Sequence, residues 1–328
     1  MAYKTSSTTV IDSADSVIFK EMIVGVHHSV VTALGNGTSN GYGIGGYVHP
    51  PYTGYSKVEK FPFATATTDA TNVGDLLTNA RYAQAASRSF THCYVAGGQN
   101  PLSTDRNVIE KFPSSADASA SDVGDLTQSG IAAGNTDLSG GQGYASGRYT
   151  VPGATTNTID KFPFSSDANA SDVGDLTQAR GYCAGQSSTT HGYVTAGYPN
   201  SNVIDKFPFS TDENASDVGD LTQGRYSVDG TSSSTHGYTE GGYIYPGNSY
   251  PNILDKFSFA SDGNASDVGD MTISKSARGG VSSMTHGYHT GGSPGIDTID
   301  RYPFAVDENA TDVGNLSTPT VNQAGNEG

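Results

Sequence analysis

Asp172-Val173-Gly174-Asp175-Leu176 decides how this chain folds, because the phrase is one of a set. DVGDL or a near copy begins at positions 72, 122, 172, 217, 267 and 312. Successive copies stand 50, 50, 45, 50 and 45 residues apart, a period that belongs to solenoids, propellers and arrays. The cadence also sorts residues. One that recurs in every copy serves the unit, and one that breaks the pattern is free to serve function.

Outward from that phrase, each unit shows four segments in order. In the fourth unit, residues 180–188 (RGYCAGQSS) read as a first strand and 191–197 (HGYVTAG) as a second that ends on small residues. Residues 203–209 (VIDKFPF) read as a third strand and 217–222 (DVGDLT) as a fourth. Four short strands per unit make a propeller blade. Six such units occupy nearly all of the 328 residues, which predicts an all-β, six-bladed β-propeller of four-stranded antiparallel blades over residues 24–318. A segment at 1–23, for attachment or closure, precedes it and a tail at 319–328 follows. In the first unit, residues 26–34 and 41–46 are expected to be the first two strands. Residues 13–22, with Val17, Ile18 and Phe19, suit a ring-closing strand, pairing with another subunit, or an anchor.

Composition agrees with short strands and tight turns: 42 Gly, 19 Tyr, no Trp, and no segment with a helical period. Seventeen Lys plus Arg against 33 Asp plus Glu give a net charge of −16, which repels phosphate backbones and anionic lipid; nucleic acid is not an expected partner. The sequence has no signal-peptide stretch and no run of the roughly 20 apolar residues a span needs, so synthesis in a cytoplasm without membrane insertion is expected. Cys93 and Cys183 occupy different places in different units and read as free thiols.

Small residues pair at the end of the second strand: Gly45 and Gly46, Gly97 and Gly98, Ser146 and Gly147, Ala196 and Gly197, Gly241 and Gly242, Gly291 and Gly292. Such pairs suit positive φ or close backbone approach. Together with the variable loop, the aromatic third strand and the Arg entering the next unit, they resemble the kelch repeat over residues 24–318. The family's fourth-strand Trp is missing here. Phe61, Phe112, Phe162, Phe207, Phe257 and Tyr302 are therefore expected to supply the aromatic packing between blades. The resemblance implies a fold and leaves function open.

Most of the reactive side chains repeat. Asp167, Asn169, Ser171, Asp172 and Asp175 alternate oxygen groups as a calcium loop does, without the terminal bidentate Glu, and the pattern returns at 212–220, 262–270 and 307–315. A structural Ca²⁺ repeated around the ring is one reading, and Asx turns before the fourth strand are the favoured one. No other cofactor is expected. His92, His191, His236 and His286 share one register and suit hydrogen bonds within each blade. His27, His28, His49 and His289 fall outside it, the first two at the start of an expected inner strand, too few for a zinc site. Doublets at Glu59-Lys60, Glu110-Lys111, Asp160-Lys161, Asp205-Lys206, Asp255-Lys256 and Asp300-Arg301, with Arg81, Arg180, Arg225 and Arg278, are expected to form blade-to-blade ion pairs. No catalytic residue and no metal ligand is assigned.

Repetition fails between the second and third strands. The loops there carry Tyr47, Tyr52 and Tyr55 in the first unit, Tyr149 in the third, Tyr198 and Asn200 in the fourth, and Tyr243, Tyr245, Asn248 and Tyr250 in the fifth. Corresponding loops of a propeller emerge on one face. Tyrosine with Asn is the chemistry of binding surfaces, and stiffening of exposed loops is the plainer alternative.

The wording of the units, FPF then DANASDVGDLT then THGYV, is similar to repeat proteins encoded by marine cyanophages. That resemblance implies a non-enzymatic bacteriophage structural protein, a virion appendage or tail-fibre component assembled in the host cytoplasm. Its implied partners are other virion proteins and a host surface glycan or receptor; homo-oligomers through the N-terminal segment are a separate expectation, from the strand that segment could pair. A kelch-like scaffold for a protein partner is the alternative, and a propeller carbohydrate-active enzyme or oxidase comes third.

Overall fold

Each repeat folds into one four-stranded antiparallel sheet, and six such sheets stand around an axis as a β-propeller. The structure, a computed structural model, describes residues 40–48, 53–63, 69–76, 81–82, 84–100, 105–276, 279–293, 295–320 and 324–327. Blade four is typical. From the axis outward its strands are Ala184–Ser187, His191–Thr195, Val203–Pro208 and Ser216–Asp220. Among the described residues no helix is long and apolar enough to cross a membrane.

The ring closes where the sequence reading placed a tail. The innermost strand of blade one is Ala324–Glu327, paired antiparallel with Asn40–Ile44. Residues 26–34, the expected inner strand, lie outside the described residues, as does the whole 1–23 segment. The C-terminal strand has a readable signature: AGNE at 324–327 matches AGQS at 184–187 and AGNT at 133–136.

Inner strands meet at small residues. A Cβ on Gly185 would stand 2.0 Å from Gly134 O, and one on Gly280 2.4 Å from Gly230 O. Only glycine permits that approach. Beside this contact, the backbone N–H of Arg88, Thr136, Ser187 and Ser232 donates to the hydroxyl of Thr136, Ser187, Ser232 and Ser282 in the next blade, at 2.9–3.3 Å. These bonds satisfy strand edges that would otherwise be open.

Further out the contact is aromatic, as expected. The second-strand tyrosine packs on the aromatics that end the third strand of the next blade: Tyr193 lies 5.4 Å from Phe257 and 4.8 Å from Phe259, Tyr144 similarly meets Phe207 and Phe209, and Tyr238 meets Tyr302 and Phe304. Such pairs contribute about 0.5–1.5 kcal/mol each beyond their buried area. The glycine of HGY makes room within a blade, since a Cβ on Gly192 would stand 2.3 Å from the Phe207 ring.

The acidic phrase is the outermost joint. Asp172 Oδ1 accepts Gly174 N–H at 3.2 Å, an Asx turn. Asp175 N–H donates to Asn214 Oδ1 at 3.0 Å, and Ala215 N–H returns a bond to Asp175 O at 2.8 Å. Gly174 has no room for a side chain, with Glu213 O 2.6 Å from where its Cβ would be. Asp212 meets Lys161 of the preceding blade. The oxygens that suggested a calcium loop are thus directed to turns and neighbouring blades, and among the described residues no group of three His, Cys, Asp or Glu gathers in metal-binding geometry.

The acid–base doublets do not pair internally, because adjacent strand residues face opposite sides. The lysines reach the next blade, as Lys206 does to Asp262 at 2.8 Å. With the aspartates more than half exposed, such pairs contribute about 0–1 kcal/mol each. The acids turn inward and are fully buried. Asp205 and Asp255 meet Arg180 and Arg225 of their own blades at 2.9 and 2.8 Å, so these arginines are not blade-to-blade links. Asp205 also accepts the N–H and hydroxyl of Thr177, which ends the previous DVGDLT.

Two register assignments change. In blade six the buried base is Lys275, not Arg278, which lies outside the described residues. In blade three the glycine pair is not Ser146 and Gly147: Gly147 has φ 62°, like Gly45 at 67° and Ala196 at 61°, and Arg148 holds the second place.

Candidate functional site

On one face of the ring, linkers entering the inner strands meet loops leaving the second strands. Gly181 bridges Tyr198, Tyr226 bridges Tyr243, Ser276 bridges Ser293 and Tyr82 bridges Gln99. These bridges hold the first residue of each loop beside the axis. They enclose a cup of about 290 Å³ whose described lining is seven tyrosines and three serines, drawn from blades one, three, four, five and six.

The rings form a continuous wall. Centroids are 4.8 Å apart for Tyr149 and Tyr182, 6.1 Å for Tyr182 and Tyr226, 5.3 Å for Tyr226 and Tyr243, and 5.0 Å for Tyr243 and Tyr250. Tyr198 stands edge-on to Tyr149 and Tyr226, at 83° and 89°. Tyr47 packs on Tyr82 at 4.8 Å.

Of the residues singled out from the sequence, Tyr47, Tyr149, Tyr198, Tyr243 and Tyr250 come together in this lining. Tyr245 stands outside it, 59% exposed, and Tyr55 lies under the Lys57 ammonium, 5.3 Å from the ring centroid. The two asparagines hold loops. Asn200 accepts Tyr245 N–H at 3.2 Å and donates to Tyr245 O, while Asn248 accepts the Tyr243 hydroxyl. Tyr52 lies outside the described residues.

Tyr182 and Tyr226 are the members that the sequence reading missed. Both follow the conserved-register arginines, in RGY at 180–182 and RY at 225–226, a place that reads as the beginning of a strand. Tyr182 has φ 56° and Ser227, its register partner, φ 52°. A left-handed non-glycine residue costs about 1–3 kcal/mol and such strain clusters at functional sites. Burial pushes the Tyr182 phenol up, helped by Tyr82, Tyr149, Tyr47 and Tyr226. Burial and the Tyr243 and Tyr198 phenols push Tyr226 to about 12. At neutral pH these hydroxyls stay protonated, each a donor and an acceptor. Among the described residues the lining holds no formal charge.

A second departure from the repeat lies between blades five and six. Glu240 and His289 are each 1% exposed and sit 3.1 Å apart, where blade four has Thr195 and Val194. Glu240 Oε1 also accepts the hydroxyls of Tyr302 and Thr231. Tyr302 stands where the other blades have Phe, stacked 6.2 Å from the His289 ring. Asp229 accepts Gly230 N–H at 2.9 Å and leaves Oδ2 buried without a partner. Burial raises its carboxyl to about 7, against the lowering effect of His289 and with a further rise from Glu240. Glu240 and His289 are closed from solvent and the cluster joins blades, while Asp229 also lines the cavity along the inner strands.

The registered histidines are also local: Thr190 Oγ1 lies 2.8 Å from His191 Nδ1, and the contact repeats at His92, His236 and His286. His27, His28 and His49 lie outside the described residues. Cys93 and Cys183 are buried and form no disulfide among the described residues. A further cavity of about 190 Å³ runs along the inner strands, and it shares no lining residue with the cup. Comparison of the chain with protein-family models and with curated proteins finds no match, so the tyrosine cup itself bears the functional argument.

Proposed function

We propose that this chain is a non-enzymatic binding propeller of a virus particle, holding a glycan of the host surface in its tyrosine cup. The observation that carries the reading is the convergence of seven tyrosines from four blades on one axial mouth, apart from the second-strand tyrosines and third-strand aromatics that pack between blades. Flat rings with hydroxyl tips suit sugars, which offer apolar faces edged by hydroxyls. Few rotamers need to be frozen on binding, because the rings already pack on one another. The likeness in wording of the units to cyanophage repeat proteins supports the virion setting, with the segment before residue 24 as the attachment.

The test is binding of the purified chain to a glycan array carrying host lipopolysaccharide. Binding that falls at least tenfold in Tyr226→Ala, with the fold intact by circular dichroism, is the expected result. An array on which no glycan is retained removes the reading.

A further inference from the structure

We infer that the cup takes the uncharged terminus of a glycan end-on, one or two sugar rings deep, and does not grip an internal stretch of polymer. The inference rests on the glycan reading above and concerns how the ligand enters.

Three observations point to end-on entry. The cup is axial, with walls from blades one, three, four, five and six around one mouth, so its described lining gives a linear chain no groove to run along. It is also distinct from the cavity along the inner strands: the two share no described lining residue, Tyr182 belonging to the cup and Cys183 to the cavity, with buried Val228 between Ser227 of the cup and Asp229 of the cavity. Its volume of about 290 Å³ falls just under the roughly 300–1,000 Å³ of sites for drug-sized ligands, which matches one or two rings and no more.

The charge pattern selects a neutral terminus. The described lining has hydroxyls and aromatic faces only, while the chain carries −16 and repels anions at a distance. Among the described lining residues an acidic sugar would find no basic partner and would lose its hydration. Tyr182 is the residue best placed to read the terminal ring: its twisted backbone sets it among Tyr47, Tyr82, Tyr149 and Tyr226.

The experiment uses host lipopolysaccharide fragments released by mild acid and sized into mono-, di-, tetra- and octasaccharide fractions, titrated calorimetrically against the full chain. Affinity is expected to rise from mono- to disaccharide and then stay within about threefold. Exoglycosidase removal of the terminal residue should lower it at least tenfold. Tyr182→Phe, which keeps the ring and loses the hydroxyl, should weaken the disaccharide about tenfold, and Tyr245→Ala outside the lining should leave it unchanged. Affinity that climbs tenfold with each doubling of length, or preference for an acidic terminus, overturns the end-on inference while leaving the glycan reading standing. Failure of every fraction and of the parent glycan to bind overturns both.

Discussion

Single positions in this ring are intelligible through their partners. In blades four and five the second residue of the glycine pair lies against the buried arginine: a Cβ on Gly197 would stand 2.9 Å from Arg180 Cδ, and one on Gly242 3.2 Å from Arg225 Cδ. Blade three has exchanged the two residues. Gly130 stands where the arginine belongs, and Arg148, in the glycine's place, sends Nη2 to Asp160 at 2.7 Å. Blade two departs at two related places: Cys93 replaces the HGY glycine, and Ser114 replaces the second phenylalanine, whose ring would stand 2.9 Å from a Cβ on that glycine in blades one and three. Arg148→Gly would make the repeat more regular as text, yet it strands a buried carboxylate. We expect a loss of about 3–5 kcal/mol in urea unfolding. A loss below about 1 kcal/mol would show that Thr127, which also donates to Asp160, suffices alone. A single sequence does not reveal such exchanges, because each half looks like simple divergence until the two side chains are seen in one place.

The joint between blades five and six shows how an element can differ from its copies. Between blades four and five, Gln186 reaches across to Tyr238 O and Thr239 Oγ1, both at 3.0 Å. One blade later that amide is replaced by Thr231, Glu240, His289 and Tyr302, with Asp229 beside them. Asp229 has its folded value raised by burial from the usual 3.8 to about 7. A raised value means that its contribution to stability is full below about pH 4 and is lost as pH rises through 7. Asp229→Asn should remove this dependence, so that between pH 4 and 8 its stability relative to the parent improves by roughly 2–4 kcal/mol. Denaturant midpoints measured at both pH values check this, and parallel curves for the two proteins would refute it. His289 stood out in the sequence as a histidine off the common register. Glu240 and Asp229 did not, because acidic residues are abundant and only the strand register places these two inside.

At the scale of the molecule, the period of the DVGDL phrase was enough to predict blade number and the four segments of the unit the strand number, while the aromatic seams followed from the resemblance to the kelch repeat. Five of the ten loop residues expected at a binding surface do line one cup. The remainder depended on the third dimension: Tyr182 enters through a left-handed backbone, and the closing strand at 324–327 follows a run that reads as a tail. That strand makes its own prediction. A chain ending at Thr320 leaves Asn40–Ile44 without its inner neighbour, and an open strand edge recruits other chains. We expect such a chain to be less stable by roughly 2–5 kcal/mol, from the lost backbone pairing, and to elute as oligomers; a monomer of parental stability would count against this closure. The unequal spacing of the repeat has a consequence of its own. Between paired positions of the second and third strands the chain runs eight residues in blade four, 196–203, and eight in blade six, 291–298, against thirteen in blade five, 241–253. The five-residue deficit of the 45-residue units therefore falls on the collar of the cup. It leaves the rim uneven, one long loop from blade five between two short ones, so a guest approaching the mouth meets that loop on one side only.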